Sequence, residues 1–402
     1  HRDLHSFPTR RSSDLIHIFK SRIKANNGVN IYVVMLLSFA LKFPFCFLFG
    51  SMLDITRYTH VGNYINLGLN PYLDHETWPI FFWNKYPALF FELYGAWFFL
   101  FGNSVLSMRI FFLIGELLTT YVLYLIGKQI RTEKIGVVFA FLFSFIPTNF
   151  IGFINGDNDS TPLLFLSLAI LYFFKEKYIY SAIFLGLGVC FKIFPIFFLL
   201  CLVIYFFKKG DYQKIALYIG ILSLIFLITS IRFLISTPRD YLESIFIHTS
   251  RANTGYPTSQ YVPFLYDTQY QIDSPISISI SMNFIIQIIV LGTFCCFFLM
   301  SNSHKPPQQM EVIFWALIIY ISLPFLMQRG HFSNWVWISP FAIIFLFNKD
   351  IDLIESKHTI MRMMLAYYIF VWIALLVHNT SLPYNVIRSE ERRVGKECRS
   401  RW

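Results

Sequence analysis

Long apolar runs separated by short polar turns set the rhythm of this chain. Six of them, near 30–50, 110–127, 135–154, 215–235, 276–300 and 363–380, reach or approach the ~20 residues that a helix needs to cross hydrocarbon. Shorter runs at 161–174, 179–190, 193–207, 312–327 and 335–347 are bounded by polar turns. All are continuous, whereas the strands of a membrane barrel alternate over about ten positions. A continuous apolar segment in lipid must satisfy its backbone internally, so each run predicts a helix. The first begins near Asn30 and is long enough to span, so it reads as a crossing rather than a cleavable leader.

One further run, 87–101, decides the topology, because counting it as a crossing inverts every later loop. Suppose it lies on the surface and the chain starts in the cytoplasm. The inner loops 16–27, 128–134, 175–178, 208–214, 301–311 and 348–362 then hold 15 Lys and Arg in 56 residues. The outer loops 51–109, 155–160, 191–192, 236–275, 328–334 and 381–387 hold 7 in 121. That roughly fourfold bias runs in the positive-inside direction. Eleven spans are therefore expected, with 51–109 a large external segment carrying an interfacial helix at 87–101. Its Phe90, Phe91, Tyr94 and Trp97 suit the headgroup belt.

Composition agrees. The chain is 56% hydrophobic and 14% charged, with a mean hydropathy of +0.55, against about 25% charged residues in soluble domains. Its 47 Phe, 23 Tyr and 8 Trp exclude a solvated, disordered chain. Of six Cys, five (Cys46, Cys190, Cys201, Cys295, Cys296) lie in apolar stretches and read as small core hydrophobes, with no spacing that implies a disulfide or metal framework. Residues 1–15 and 388–402 differ sharply from the rest and resemble translated sequencing-adapter sequence. Together they hold 9 Lys and Arg and 5 Asp and Glu, so residues 16–387 carry about +6 of the formal +10. The basic tail with Arg392, Arg393 and Lys396 is set aside, and no nucleic-acid partner is expected. Residues 16–387 read as one multispanning domain without internal repeats.

Ionisable groups at membrane depth are costly, so their placement is informative. The expected topology puts most of them on the outer face: Asp54 just after the first span, Asp157 and Asp159 in the turn INGDNDST, Lys192 at the tip between two short helices, and Arg329 and His331 in MQRGHFSNW. Free backbone at such helix tips is tolerated where it lines a cavity or meets water, so an outward-facing polar cavity is expected. Each residue has a plainer reading: Asp54 as an interfacial carboxylate, Asp157 and Asp159 as turn formers, Lys192 as a snorkelling side chain, Arg329 and His331 as lipid-phosphate contacts. Within the spans, Lys42 is expected to snorkel or pair with a carboxylate, and Glu116 to pair inside the bundle.

The first external segment resembles the corresponding loop of the GT-C glycosyltransferases, multispanning enzymes that use polyprenyl-phosphate sugars. Their pattern is an acid after span one, a helix ending in Gly-x-Asn/x-Pro-Tyr, then Tyr-Pro-x-Leu, a Phe-Gly, and an Arg opening span two. Asp54, Tyr58, Gly68, Asn70, Pro71, Tyr72, Tyr86, Pro87, Leu89, Phe101, Gly102 and Arg109 match it. NGDNDSTPLLF and GLGVCFKIFPIFFL resemble the Gly-x-x-Asp and Lys-x-x-Pro segments of the branch holding GPI mannosyltransferase I-like and bacterial polyprenol-phosphate-mannose transferases, and RGHFSNWVWISPF resembles a late motif of the same enzymes. There are two departures. Asp54 stands alone where some relatives carry paired acids, and the turn reads Gly-Asp-Asn-Asp where Gly-Gln-x-Asp is common, which aligns Asp159 and leaves Asp157 extra.

The resemblance implies an all-α polytopic GT-C fold with interfacial helices in the first external loop. It implies an inverting transfer of a sugar, with mannose favoured and glucose, galactose and arabinose open, from a polyprenyl-phosphate donor. The acceptor is a glycan, a glycolipid or a protein, and the active site lies on the non-cytoplasmic face of a plasma or endoplasmic reticulum membrane. Asp54 is the expected base. Lys192, Arg329 and His331 are expected at the donor phosphate, and Asp157, Asp159, Tyr58 and Tyr72 on sugar or acceptor. No cofactor is implied, and metal dependence stays open. A flippase or transporter would show repeats and midplane charges. An outer-face polysaccharide polymerase would share the long late loop but not the early Asp loop or Tyr-Pro-x-Leu. A purely structural membrane protein would not gather polar groups on one face.

Overall fold

Two of the long apolar runs, 30–50 and 135–154, break into separate helices at a proline. The computed structural model describes residues 30–48, 53–72, 86–156, 159–242, 245, 269–272, 278–300, 308–326 and 336–347. The first run becomes α1 (Ile31–Lys42) and a single turn, α2 (Phe45–Leu48). Pro44 between them has no N–H to continue the ladder. The segment expected to be external supplies α3 (Leu53–Asn66) and α4 (Ala88–Phe101), and α5 (Val105–Ile130) follows. Ser104 starts α5 by accepting from the Ser107 N–H at 3.0 Å, the N-cap role of a short hydroxyl side chain.

The 135–154 run is likewise split, into α6 (Glu133–Phe145) and α7 (Pro147–Asn155). Proline disfavours the helical conformation in the residue before it. Ile146 is accordingly extended, with ψ 127°, and the two helices meet at 50°. The Asn149 side chain donates to the Phe143 carbonyl at 3.2 Å, which caps an acceptor freed by the break. Then come α8 (Ser160–Phe174), α9 (Tyr178–Phe191), α10 (Ile196–Lys208), α11 (Tyr212–Ser236), α12 (Met282–Met300), α13 (Gln309–Leu326) and α14 (Ser339–Leu346).

The helical expectation has one exception. β1 (Gln269–Ile272) and β2 (Ile278–Ser281) form an antiparallel pair, with Gln269 opposite Ser281 and Ile272 opposite Ile278. The alternating Ile-Ser-Ile-Ser of β2 has a period of two, which suits a strand, and α12 therefore starts at Met282 rather than near 276.

By length and apolarity α5 and α11 can cross a bilayer, and the bent α6–α7 pair is long and apolar enough for a third crossing if it forms one broken span rather than a re-entrant loop. The other apolar helices among the described residues are shorter, so helix length does not reproduce the expected eleven spans. The expected span at 363–380, both chain ends, Asp157, Arg329 and His331 lie outside the described residues.

Helix α4 is 14 residues long, about 21 Å at 1.5 Å per residue, and it packs against α3. Small residues make that possible: a Cβ on Gly62 would overlap the Phe98 ring, and one on Gly95 would stand 2.6 Å from Ile65 Cγ2. The same device joins α5 to α6, where a Cβ on Gly127 would lie 2.7 Å from the Gly136 Cα.

Between α1 and α5, Lys42 pairs with Glu116, both almost wholly buried. The two groups left open in the sequence are thus each other's partners. Removing one member of a buried pair strands the other charge at a cost of about 3–5 kcal/mol, whereas replacing both with apolar residues is often neutral. Lys42→Met alone should lower the thermal unfolding temperature of the purified protein sharply, and Lys42→Met with Glu116→Leu should recover most of the loss.

Candidate active site

Helix α3 begins with Leu53, and Asp54 is its second residue. The next side chain, Ile55, is fully buried and lies against Gly156. A Cβ on Gly156 would collide with Ile55 Cγ1 and Cδ1. Gly156 ends α7 in the left-handed region, at φ +78°, a conformation that glycine adopts without cost and that commonly terminates helices. The start of the Asp54 helix therefore seats on the turn leading to Asp159.

Arg109, wholly buried at the start of α5, supports the same turn. Its guanidinium donates to the Ile154 carbonyl through both terminal nitrogens, at 3.3 Å each. These are carbonyls that the end of a helix leaves without intrahelical partners. The sequence pattern marked an Arg opening span two, and here it ties that span to the end of α7.

Asp159 precedes α8 but makes no side-chain cap bond to it. Its carboxylate pairs with Lys192 Nζ instead, with side-chain exposures of 6% for Asp159 and 16% for Lys192. Lys192 stands at the break between α9 and α10 in extended conformation, with φ −151° and ψ 134°. Two distant segments hold that break. The Tyr320 hydroxyl of α13 donates to the Phe194 carbonyl at 2.9 Å, and the Trp337 ring stacks on Phe194 with centroids 4.3 Å apart and 4° between planes. Lys192 Nζ also lies over Trp337, 5.4 Å from its centroid. Trp337 comes from the late motif, where sequence reading singled out Arg329 and His331 and passed over it. No local signal distinguished it from the neighbouring aromatics.

An aromatic floor links the Asp54 helix to the Lys192 break. Tyr58, one turn after Asp54, packs on Phe90 at 5.5 Å and on Tyr94 at 5.8 Å between centroids. Phe191, next to Lys192, packs on the same two rings at 5.4 and 5.7 Å. Tyr58 and Tyr72, expected on sugar or acceptor, are both core residues, each 6% exposed. Their phenols meet at Tyr86: the Tyr58 and Tyr86 hydroxyls are 3.5 Å apart, and the Tyr72 hydroxyl donates to the Tyr86 carbonyl at 2.9 Å. Burial, reinforced by Tyr241 and Glu92, pushes the Tyr72 phenol well above its ordinary value, so it stays a donor.

The Gly-x-Asn-Pro-Tyr motif has a docking role. Gly68, at φ +73°, closes α3, and its carbonyl accepts from Arg232 at 3.2 Å. The Asn70 side chain donates to Thr237 Oγ1 at 2.8 Å and accepts from the Tyr72 N–H at 3.0 Å. Tyr72 then packs on Phe233 and Tyr241, with centroids 4.8 and 4.7 Å apart. The stretch after α3 is fastened in this way to the end of α11. Among the described residues, no three His, Cys, Asp or Glu side chains gather as a metal site.

A helical membrane protein whose helices α3 and α4 pack onto a charged, aromatic-walled helix break is thus defined. Residues 86–323, more than half of the chain, match glycosyltransferase family 87, and the chain belongs to that family. Among solved structures it resembles ArnT from Cupriavidus metallidurans, determined with undecaprenyl phosphate, at 13% identity and a TM-score of 0.54 over 83% of this chain and 59% of that one. This likeness shows the fold, which is of the GT-C type, and the chain spans about three fifths of ArnT's length. The Archaeoglobus fulgidus oligosaccharyltransferase, tethered to an acceptor peptide, aligns at 14% identity over 86% of this chain and 53% of that one, with a TM-score of 0.42, too low to add to the argument. No curated protein matches by sequence.

Proposed function

We propose that this chain is an inverting glycosyltransferase that moves a sugar, mannose by resemblance, from a polyprenyl phosphate to an acceptor hydroxyl at the non-cytoplasmic membrane face. The observation that carries this reading is the pairing of Lys192 with Asp159 at a turn on which the Asp54 helix seats through Ile55 and Gly156. Membership of family 87 and the likeness to a protein solved with undecaprenyl phosphate support it.

The chemistry asks little of the protein. The acceptor oxygen attacks the anomeric carbon from the face opposite the phosphate, and a C–O bond forms as the bond to the phosphate oxygen breaks. The electron pair leaves with the phosphate, and the acceptor proton goes to a carboxylate, the role assigned to Asp54. A positioned base contributes about 10²–10⁴-fold. The phosphate leaves as a stable anion, so it needs cations rather than an acid. Lys192 supplies one, with Arg329 and His331 as further candidates. Asp159 and Asp157 orient hydroxyls of sugar or acceptor. Tyr58 and Tyr72 act through the floor that they build. The reading keeps residues 16–387 as one multispanning domain with eleven crossings, residues 87–101 lying at the interface.

Purified protein in lipid discs, given a labelled polyprenyl-phosphate mannose and a lipid-linked glycan acceptor, should form a glycosidic bond. Movement of the lipid between leaflets without bond formation would replace this reading with a flippase. Hydrogen bonds to charged groups contribute about 1.5–3 kcal/mol. Lys192→Ala should therefore raise the donor KM by roughly ten- to a hundredfold, since 1.4 kcal/mol is tenfold. An unchanged donor KM removes Lys192 from the phosphate.

A further inference from the structure

Trp337 is 3% exposed, and its indole N–H has no hydrogen-bond partner among the described residues. A buried donor left unpaired is rare and calls for an explanation. Its ring is the one that lies under Lys192 Nζ, so the ring that carries the unused donor also touches the paired cation. Asp159, the partner of Lys192, leads into the first turn of α8, which is buried. Asp159 does not cap it, and the buried hydroxyls of Ser160 and Thr161 also lack partners among the described residues. An uncapped helix start with an unpaired N–H and a lysine is the donor set that an anion takes.

We propose that this place is an anion-exchange subsite. Asp159 is the resident counter-ion of Lys192 in the empty protein. The phosphate of the lipid-linked sugar donor displaces it, accepting from Lys192 and from the Trp337 N–H, and the freed Asp159 carboxylate turns to a hydroxyl of the sugar that the donor carries. The inference rests on the phosphate role proposed for Lys192 and adds two elements to it: a competitor that must leave, and a second donor from the late motif. The exchange keeps Lys192 paired when the site is empty, which a buried charge requires. It also favours departure of the phosphate from the sugar, since the monoester released on transfer carries more charge than the Asp159 carboxylate with which it competes for Lys192.

The test is equilibrium binding of undecaprenyl phosphate to the full chain in lipid discs, with uncharged undecaprenol and inorganic phosphate as parallel probes. Asp159→Asn removes the competitor and keeps the shape. Binding of undecaprenyl phosphate should tighten by about tenfold while kcat for transfer falls, a pairing that structural damage does not produce. Asp159→Ser, tested beside it, should show the same gain if Asn perturbs folding. Trp337→Phe removes the N–H together with one ring of the indole, so undecaprenyl phosphate binding should weaken about five- to tenfold, while undecaprenol, which shares the packing but not the phosphate, serves as the control. Undecaprenol binding should not change in any variant, and inorganic phosphate should follow the same order as the lipid at lower affinity. Weaker or equal binding in both Asp159 variants, or unchanged binding in Trp337→Phe, overturns the exchange. Lys192→Ala separates the two levels. If it binds undecaprenyl phosphate like the wild type, the phosphate role of Lys192 fails and the exchange with it. If it loses binding while the Asp159 and Trp337 variants behave as wild type, only the exchange fails.

Discussion

Asp54→Asn should abolish glycosyl transfer while leaving the protein folded and inserted. The change is isosteric and removes only the ability to accept a proton, so the expected loss is the full contribution of a positioned base, about 10²–10⁴-fold. Donor binding should persist, because the phosphate is assigned to other residues. The measurement is turnover of a labelled polyprenyl-phosphate sugar by purified wild-type and variant protein, alongside their unfolding temperatures and their binding of undecaprenyl phosphate. Full activity in the variant removes Asp54 from the mechanism. A variant that loses activity, donor binding and thermal stability together marks Asp54 as a structural residue.

Gly156→Val should damage the protein more broadly than any other single change at the site. Two penalties add there. At φ +78° a side chain costs about 1–2 kcal/mol, and a β-branched one is a marked outlier. The new Cβ would also collide with Ile55, and overpacking a filled core costs about 1–3 kcal/mol. Because Ile55 follows Asp54, relief of the collision moves the start of α3, so transfer should collapse along with stability. A double-mutant cycle isolates the geometric part. Gly156→Ala with Ile55→Ala should be more stable than the two single losses combined predict, since the collision is gone and only the backbone conformation and the lost Ile55 packing remain. Additive losses would mean that Ile55 and Gly156 do not bear on each other.

Much of the architecture was legible in local pattern. Hydropathy located α5, α8, α9, α10, α11 and α14 within a few residues, because an apolar run bounded by turns encodes a helix whatever it packs against. It misjudged continuity at Pro44 and Ile146–Pro147, where the apolar run goes on but the hydrogen-bond ladder stops. It also overlooked the period-two Ile-Ser alternation at 278–281, which the structure uses as a strand. Of the two readings of Lys42, snorkelling or pairing with a carboxylate, the structure takes the second, and Glu116 pairs within the bundle as expected, because burial makes an unpaired charge expensive. Which partner each would take lay beyond any local signal.

The amino-acid order alone thus determined that the chain is helical and made for lipid, where its helices run, and that Asp54, Asp159 and Lys192 are conspicuous, because transfer free energy and backbone satisfaction act on short stretches of chain. Only the tertiary structure decided that Lys192 meets Asp159 and lies over Trp337, and that Tyr58 and Tyr72 build a floor with Tyr86. Those outcomes depend on the angles at helix breaks and on glycines that let helices approach, geometry that joins residues far apart in the chain and leaves no trace in the hydropathy of any one segment.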